Sequence, residues 1–166
     1  TIPNTVTRIY YGAFYNWNKL SNVTFEENSE LVELGYNYKA SNINYNYGTF
    51  ENCTSLTSIT IPKSVTHIYG QVFGKCTNLE TVIFEEGSKL EQLGENVYTS
   101  STGTEYGPFY KCTSLKNIII PESVTVIESD CFYLCESLVS INIPKGVTTI
   151  GKGAFYHCDN LSQVTI

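Results

Sequence analysis

Three observations predict a solenoid of short stacked repeats, mostly β, wound into a single domain. Phe109, Phe132 and Phe155 lie 23 residues apart, as do Phe50 and Phe73, while Phe14 to Phe50 and Phe73 to Phe109 are each 36. Around them the order Leu-x-x-Ile-x-Ile-Pro, Val-x-x-Ile, Phe-x-x-Cys recurs in both directions, most fully between Cys112 and Leu138. Six such units, two of them lengthened by 13 residues, account for nearly all of the 166 residues. A fixed period in the twenties on leucine-type positions is the pattern of a leucine-rich-repeat solenoid, in which each unit buries its neighbour's apolar face.

The units run at about 2-24, 25-60, 61-83, 84-119, 120-142 and 143-166. In the first, Val6, Ile9, Phe14, Leu20 and Val23 fill the apolar slots, and Trp17 stands where Cys is expected, which suits an end with one neighbour missing. The second opens on Phe25-Glu26-Glu27, uses Leu31 and Leu34 for Val-x-x-Ile, and carries an insertion near 35-48. The third is regular. The fourth copies the second from Phe84, with an insertion near 94-107, so long and short units alternate with a 59-residue super-period. Two plain units close the chain.

Local chemistry assigns each segment of a unit. Leu56 to Ile61 is β-branched and alternates toward its end, so it predicts a short strand whose copies pair in parallel. Pro62, Pro121 and Pro144 follow and end the ladder, because proline has no amide hydrogen to donate. Val65 to Ile68 predicts a second, briefer strand on another wall. Phe73-Gly74-Lys75-Cys76, apolar at i and i+3, predicts about one turn of α- or 3-10 helix.

Composition narrows the function classes. A hydrophobic fraction of 42% supports a continuous core, and a net charge of −6 argues against nucleic acid or an anionic membrane as partner. No apolar run approaches the roughly 20 residues that span a bilayer. The absence of Met, even at position 1, reads as a mature or excised segment. Cys53, Cys76, Cys112, Cys135 and Cys158 all fall three residues after the phenylalanine, and Cys131 takes the place of Ala13 and Ala154. Equivalent positions cannot all pair, so these read as free thiols filling the core.

The run Ile143-Pro144, Val147, Ile150, Ala154-Phe155, Cys158, Leu161, together with the Phe-Glu-Glu variant, resembles the BspA-like leucine-rich repeats of the Treponema-pallidum type. The resemblance covers essentially the whole chain. It implies a secreted or cell-surface protein of host-associated bacteria or parasitic protists that attaches to extracellular-matrix proteins, host cells or other microbes. Trp17 for Cys, Thr49 and Pro108 for Ala, and the two long tracts depart from the pattern.

Function is therefore sought on surfaces. At ~4.8 Å between strands, six of them make a concave face roughly 25 Å wide. Its outward positions, Asn22 and Thr24 through Gln163 and Thr165, are mostly small and polar, with Ile83 and Ile119 adjacent at the centre and Asn117 and Asn142 beside them. Strand propensity alone also accounts for such residues. In the insertions, Tyr36, Tyr38, Tyr45 and Tyr47 interleave with asparagines, and Tyr98 and Tyr106 with Ser, Thr and Gly. These are the residues of adaptable binding loops, although they equally suit loops that cover the solenoid's side.

Other positions read as structural. Tyr15, Tyr110, Tyr133 and Tyr156 predict a stacked column on the convex side, and Glu26-Glu27 and Glu85-Glu86 predict solvated turns. His67 and His157 lack zinc-ligand spacing. No catalytic, metal or cofactor constellation is visible, which points to a non-enzymatic module binding an extracellular protein, or alternatively a glycan, or to a structural spacer. The uncapped Ile-Pro junctions at both ends suggest a longer array or end-to-end self-association.

Overall fold

The computed structural model describes residues 1–36, 47–95 and 107–166. Its strands are β1 (Arg8–Tyr10), β2 (Glu33–Tyr36), β3 (Ser58–Ile61), β4 (His67–Tyr69), β5 (Thr81–Phe84) and β6 (Gln92–Glu95). The later ones are β7 (Asn117–Ile119), β8 (Val126–Ile127), β9 (Ser140–Asn142), β10 (Thr149–Ile150) and β11 (Gln163–Thr165). They form two parallel sheets, ordered β3-β5-β7-β9-β11 and β1-β2-β4-β6-β8-β10. Every Val-x-x-Ile segment joins the second, so the briefer strand builds the wider sheet.

The expected six-membered Leu-x-x-Ile-x-Ile ladder has five members. Around Asn22–Thr24 the first coil forms no strand against β3; its hydrogen bonds run to the N-terminal residues, Ile2 N donating to Thr24 O at 2.8 Å and Glu26 N to Ile2 O at 3.0 Å. The corners follow the proline expectation. Val65, Val124 and Val147 amides return to the carbonyls of Pro62, Pro121 and Pro144 at 3.0 to 3.1 Å, closing a four-residue turn.

The third wall corrects the predicted helical turn: no helix is present among the described residues. Phe73 N donates across to Pro108 O at 2.8 Å and Lys75 N to Tyr110 O at 2.6 Å, while Cys76 N returns to Phe73 O at 3.1 Å. Gly74 N returns to Gln71 O at 2.9 Å, so two of the segment's four donors serve the next coil, where a helix would keep them within its own turn. To aim them, the residue before the Cys slot adopts left-handed backbone in all six coils: Asn16, Asn52, Lys75, Lys111, Leu134 and His157, with φ from 57° to 64°. For a residue with a Cβ this costs on the order of 1–2 kcal/mol, which the inter-coil bonds offset.

Inside these walls the phenylalanines stack in one file. Ring centroids are 5.1 to 5.7 Å apart from Phe14 to Phe155, with planes within 8°, the offset-parallel arrangement that aromatic quadrupoles favour. Phe50, Phe73, Phe109 and Phe132 are wholly buried.

All six cysteines are free and buried, as the sequence predicts. Their position has a further reason. Cys53, Cys76, Cys112, Cys135 and Cys158 each donate the thiol to the carbonyl of the preceding coil's phenylalanine, Sγ to O 3.1 to 3.3 Å. Trp17 fills the equivalent slot of the first coil, its ring packed edge-on to Phe14 at 5.4 Å and 56% exposed. Burial raises every thiol's pKa, Cys53 and Cys158 to about 11 from 9.0.

Truncating the centre of the stack, Phe109→Ala, is expected to cost about 3–5 kcal/mol, and Phe14→Ala at the half-buried end clearly less; urea midpoints measure both. The thiols add a pH dependence. Unfolded Cys ionises near 9.0 whereas folded Cys53 and Cys158 keep their protons to about 11, so their contribution is fully present below about pH 9 and is lost as pH rises toward 11. The urea midpoint should fall across that window, less steeply in a Cys53→Ala/Cys158→Ala variant; equal slopes would refute the assignment.

Candidate functional site

The outward side of the five-stranded sheet is laid down by register. Thr60, Ile83, Asn142 and Thr165 fall in one rank with Ile119, and Ser58, Thr81, Ser140 and Gln163 in the other with Asn117. The pairing Val82↔Ile118 sets Ile83 beside Ile119, as expected from sequence. Alternation turns Ile59, Val82, Ile118 and Ile141 into the core and leaves their neighbours outside. Ile119 is 79% exposed and Ile83 51%. Ser140 Oγ donates to Asn117 Oδ1 at 3.2 Å, bracing the amide.

From the isoleucine pair a groove of about 480 Å³ runs past Phe84 and Pro121 to Glu85 and Glu122. Its floor is apolar and its far end acidic; no Lys, Arg or His lines it among the described residues. The sequence reading found the two isoleucines but missed the groove's acidic end, because that end comes from turns of two different coils.

The insertions share one construction. Each leaves the coil at a glycine with positive φ, Gly35 at 90° and Gly94 at 99°, where the strand pairing skips a residue: Ile9↔Leu34 is followed by Tyr10↔Tyr36, and Ile68↔Leu93 by Tyr69↔Glu95. Each returns at a glycine pressed against the next coil. A Cβ on Gly48 would lie 1.6 Å from Gln71 O, and one on Gly107 2.3 Å from Cys131 Cα. Both glycine pairs repeat at the 59-residue super-period, and that is the signal that could have found them. Since β4 alone separates β2 from β6, the exits lie about 10 Å apart.

Of the tyrosines named from sequence, Tyr38, Tyr45, Tyr98 and Tyr106 lie outside the described residues. Tyr36 ends β2. Tyr47 is 40% exposed, its ring 4.1 Å from that of Tyr15. Of the predicted tyrosine stack, Tyr110, Tyr133 and Tyr156 do stack at 5.5 Å; Tyr15 is the correction, because Glu51 and Gly74 occupy the slot in coils two and three and its ring pairs with the returning insertion.

Glu51 is only 2% exposed. Its Oε1 accepts from Lys75 Nζ at 2.8 Å and its Oε2 from Gly48 N at 3.0 Å, and the hydrogen bond that Lys75 donates to Glu51 is the main cause raising the Lys75 pKa. Thr49 Oγ1 donates to Tyr10 O at 3.1 Å. Together they pin the root of the first insertion.

The paired glutamates are more than solvated turns. Glu26 accepts from Asn4 N at 3.1 Å and Glu85 from Lys63 N at 2.9 Å, capping the amide that follows each proline of the preceding coil. His67 Nδ1 lies 2.8 Å from Thr66 Oγ1. No group of three or more His, Cys, Asp or Glu that could hold a metal ion occurs among the described residues, and no described helix is long and apolar enough to cross a membrane.

Parallel coils about a phenylalanine file, with two parallel sheets for walls, define a leucine-rich-repeat solenoid. The chain belongs to the BspA type leucine rich repeat family: six copies of that repeat match residues 1–105 and 104–166. It is similar to a leucine rich cell surface protein of Faecalibacterium prausnitzii, with 33% identity over 74% of this chain and 30% of that one, TM-score 0.58. It is also similar to the T. pallidum leucine rich repeat protein, with 31% identity over 84% of this chain and 54% of that one, TM-score 0.63. A leucine-rich repeat protein of Bacteroides ovatus shares 27% identity over 81% of this chain and 33% of that one, TM-score 0.58. The chain thus spans from under a third to about half of these proteins' lengths. Among curated proteins, none matches the sequence.

Removing the carboxylate in Glu51→Ala leaves Gly48 N without its partner while Lys75, half exposed, turns to water. A loss of about 1–3 kcal/mol is expected, read as a lower urea midpoint; Glu51→Gln, which can still accept from Gly48 N, should lose less.

Proposed function

We propose that the chain is a non-enzymatic interaction module of a secreted or cell-surface protein, binding a host or partner-cell protein through the five-stranded face and the tyrosine-rich insertions. The exposed Ile83–Ile119 pair, set in a polar rank, carries this reading: large aliphatic side chains held in water on a sheet whose other face already supplies the core serve no packing purpose. The likeness to a cell-surface leucine-rich protein supports the location, and the close exits of the two insertions support their acting as one surface. Carbohydrate attachment is the second reading, favoured by the Tyr15–Tyr47 ring pair at an insertion root, because sugars stack on aromatic faces.

Binding of the whole chain to immobilised extracellular-matrix proteins, run beside a glycan array, tests the two. Protein binding weakened roughly tenfold by deleting residues 37 to 46 is the expected result. Glycan binding alone, lost with the same deletion, would favour the second reading, and silence in both assays would leave a spacer.

A further inference from the structure

We infer that the groove between β5 and β7 and the turns that follow them takes an extended segment of another protein in which an apolar side chain is followed by lysine or arginine. This rests on the reading of the sheet face as a protein-binding surface and adds the chemistry of the ligand. Three features select it. Ile83 and Ile119 stand side by side on adjacent strands and, with Phe84 and Pro121, give an apolar floor to a space of about 480 Å³, within the range of clefts that take a ligand the size of a short peptide segment. Glu85 and Glu122 close one end with no cation among the lining residues, so a neighbouring positive charge is complemented and a negative one repelled. Asn117 accepts from Ser140 at Oδ1, which leaves its amide N–H groups to donate to a peptide carbonyl.

Two of the groove's side chains carry no part of the fold: Ile119 is 79% exposed, and the Glu122 carboxylate accepts no hydrogen bond among the described residues, whereas Glu85 caps Lys63 N. Ile119→Ser and Glu122→Gln are therefore the informative variants.

Capped hexapeptides with a central Leu-Lys pair, the same peptides with Glu for Lys, and the same with Ser for Leu would be titrated against the full chain. The Leu-Lys peptide is expected to bind at least about tenfold tighter than either control. Ile119→Ser should lose about that factor, and Glu122→Gln should narrow the Lys-over-Glu preference and its salt dependence. Equal binding of the Glu peptide, an unaffected Ile119→Ser variant, or displacement of the peptide by a soluble glycan would overturn the inference. Matrix-protein binding that persists unchanged in both variants would remove the groove yet leave the interaction module standing; absence of matrix-protein binding by the unmodified chain would remove the module itself.

Discussion

The alignment of six phenylalanine rings governs the geometry of everything around them. Planes within 8° and centroids 5.1 to 5.7 Å apart can be kept only if successive coils superpose with little rotation, because a tilted coil would swing its ring out of the file. Once the coils superpose, their carbonyls and amides face each other on all three walls. Two walls then satisfy them as parallel ladders. The third, too short and too tightly bent for a strand, does so with left-handed residues and amides that reach across. The buried thiols fit the same logic: a cysteine is small enough to sit beside the file and its S–H finds a second lone pair on a carbonyl already aligned for it.

This constraint also dictates where the chain can be lengthened. A residue added within a wall would displace ring, strand and turn together. Both tracts instead leave just after the Val-x-x-Ile strand and rejoin just before the phenylalanine, a place where only backbone position must be restored. Glycine does this twice in each case, first by accepting positive φ at Gly35 and Gly94, then by tolerating backbone contact at Gly48 and Gly107. The buried Glu51 supports one return by replacing a tyrosine of the flank with a carboxylate that can bind Gly48 N.

What the sequence revealed and concealed divides along the same line. Slots filled by Phe, Cys, Leu, Ile and Val were legible because their burial repeats at fixed spacing, and with them the outward ranks bearing Ile83, Ile119, Asn117 and Asn142. The third wall was misread as a helical turn because its conformation is imposed by the neighbouring coil: nothing local in Lys75 or Leu134 asks for φ near 60°. The tyrosine column was misread for a related reason. Residues one unit apart in pattern are stacked only if every unit between them keeps the type, and Glu51 and Gly74 do not. The groove's acidic end was missed since Glu85 and Glu122 are brought together by stacking, across 37 residues of chain.

A surface of this kind is suited to recognition because the residues that hold the fold and those that face a partner are different atoms of the same strands. Val82 and Ile118 are locked into the core while Ile83 and Ile119, one position along, are not. Their backbones are nonetheless fixed by ladders on both sides, so a ligand meets side chains whose placement needs little further ordering, and the entropy that flexible loops lose on binding is already spent in folding. Substituting the outward ranks therefore alters the chemistry of the face without changing the coil that presents it. The apolar file determines the shape, and the exposed positions remain free to vary in chemistry.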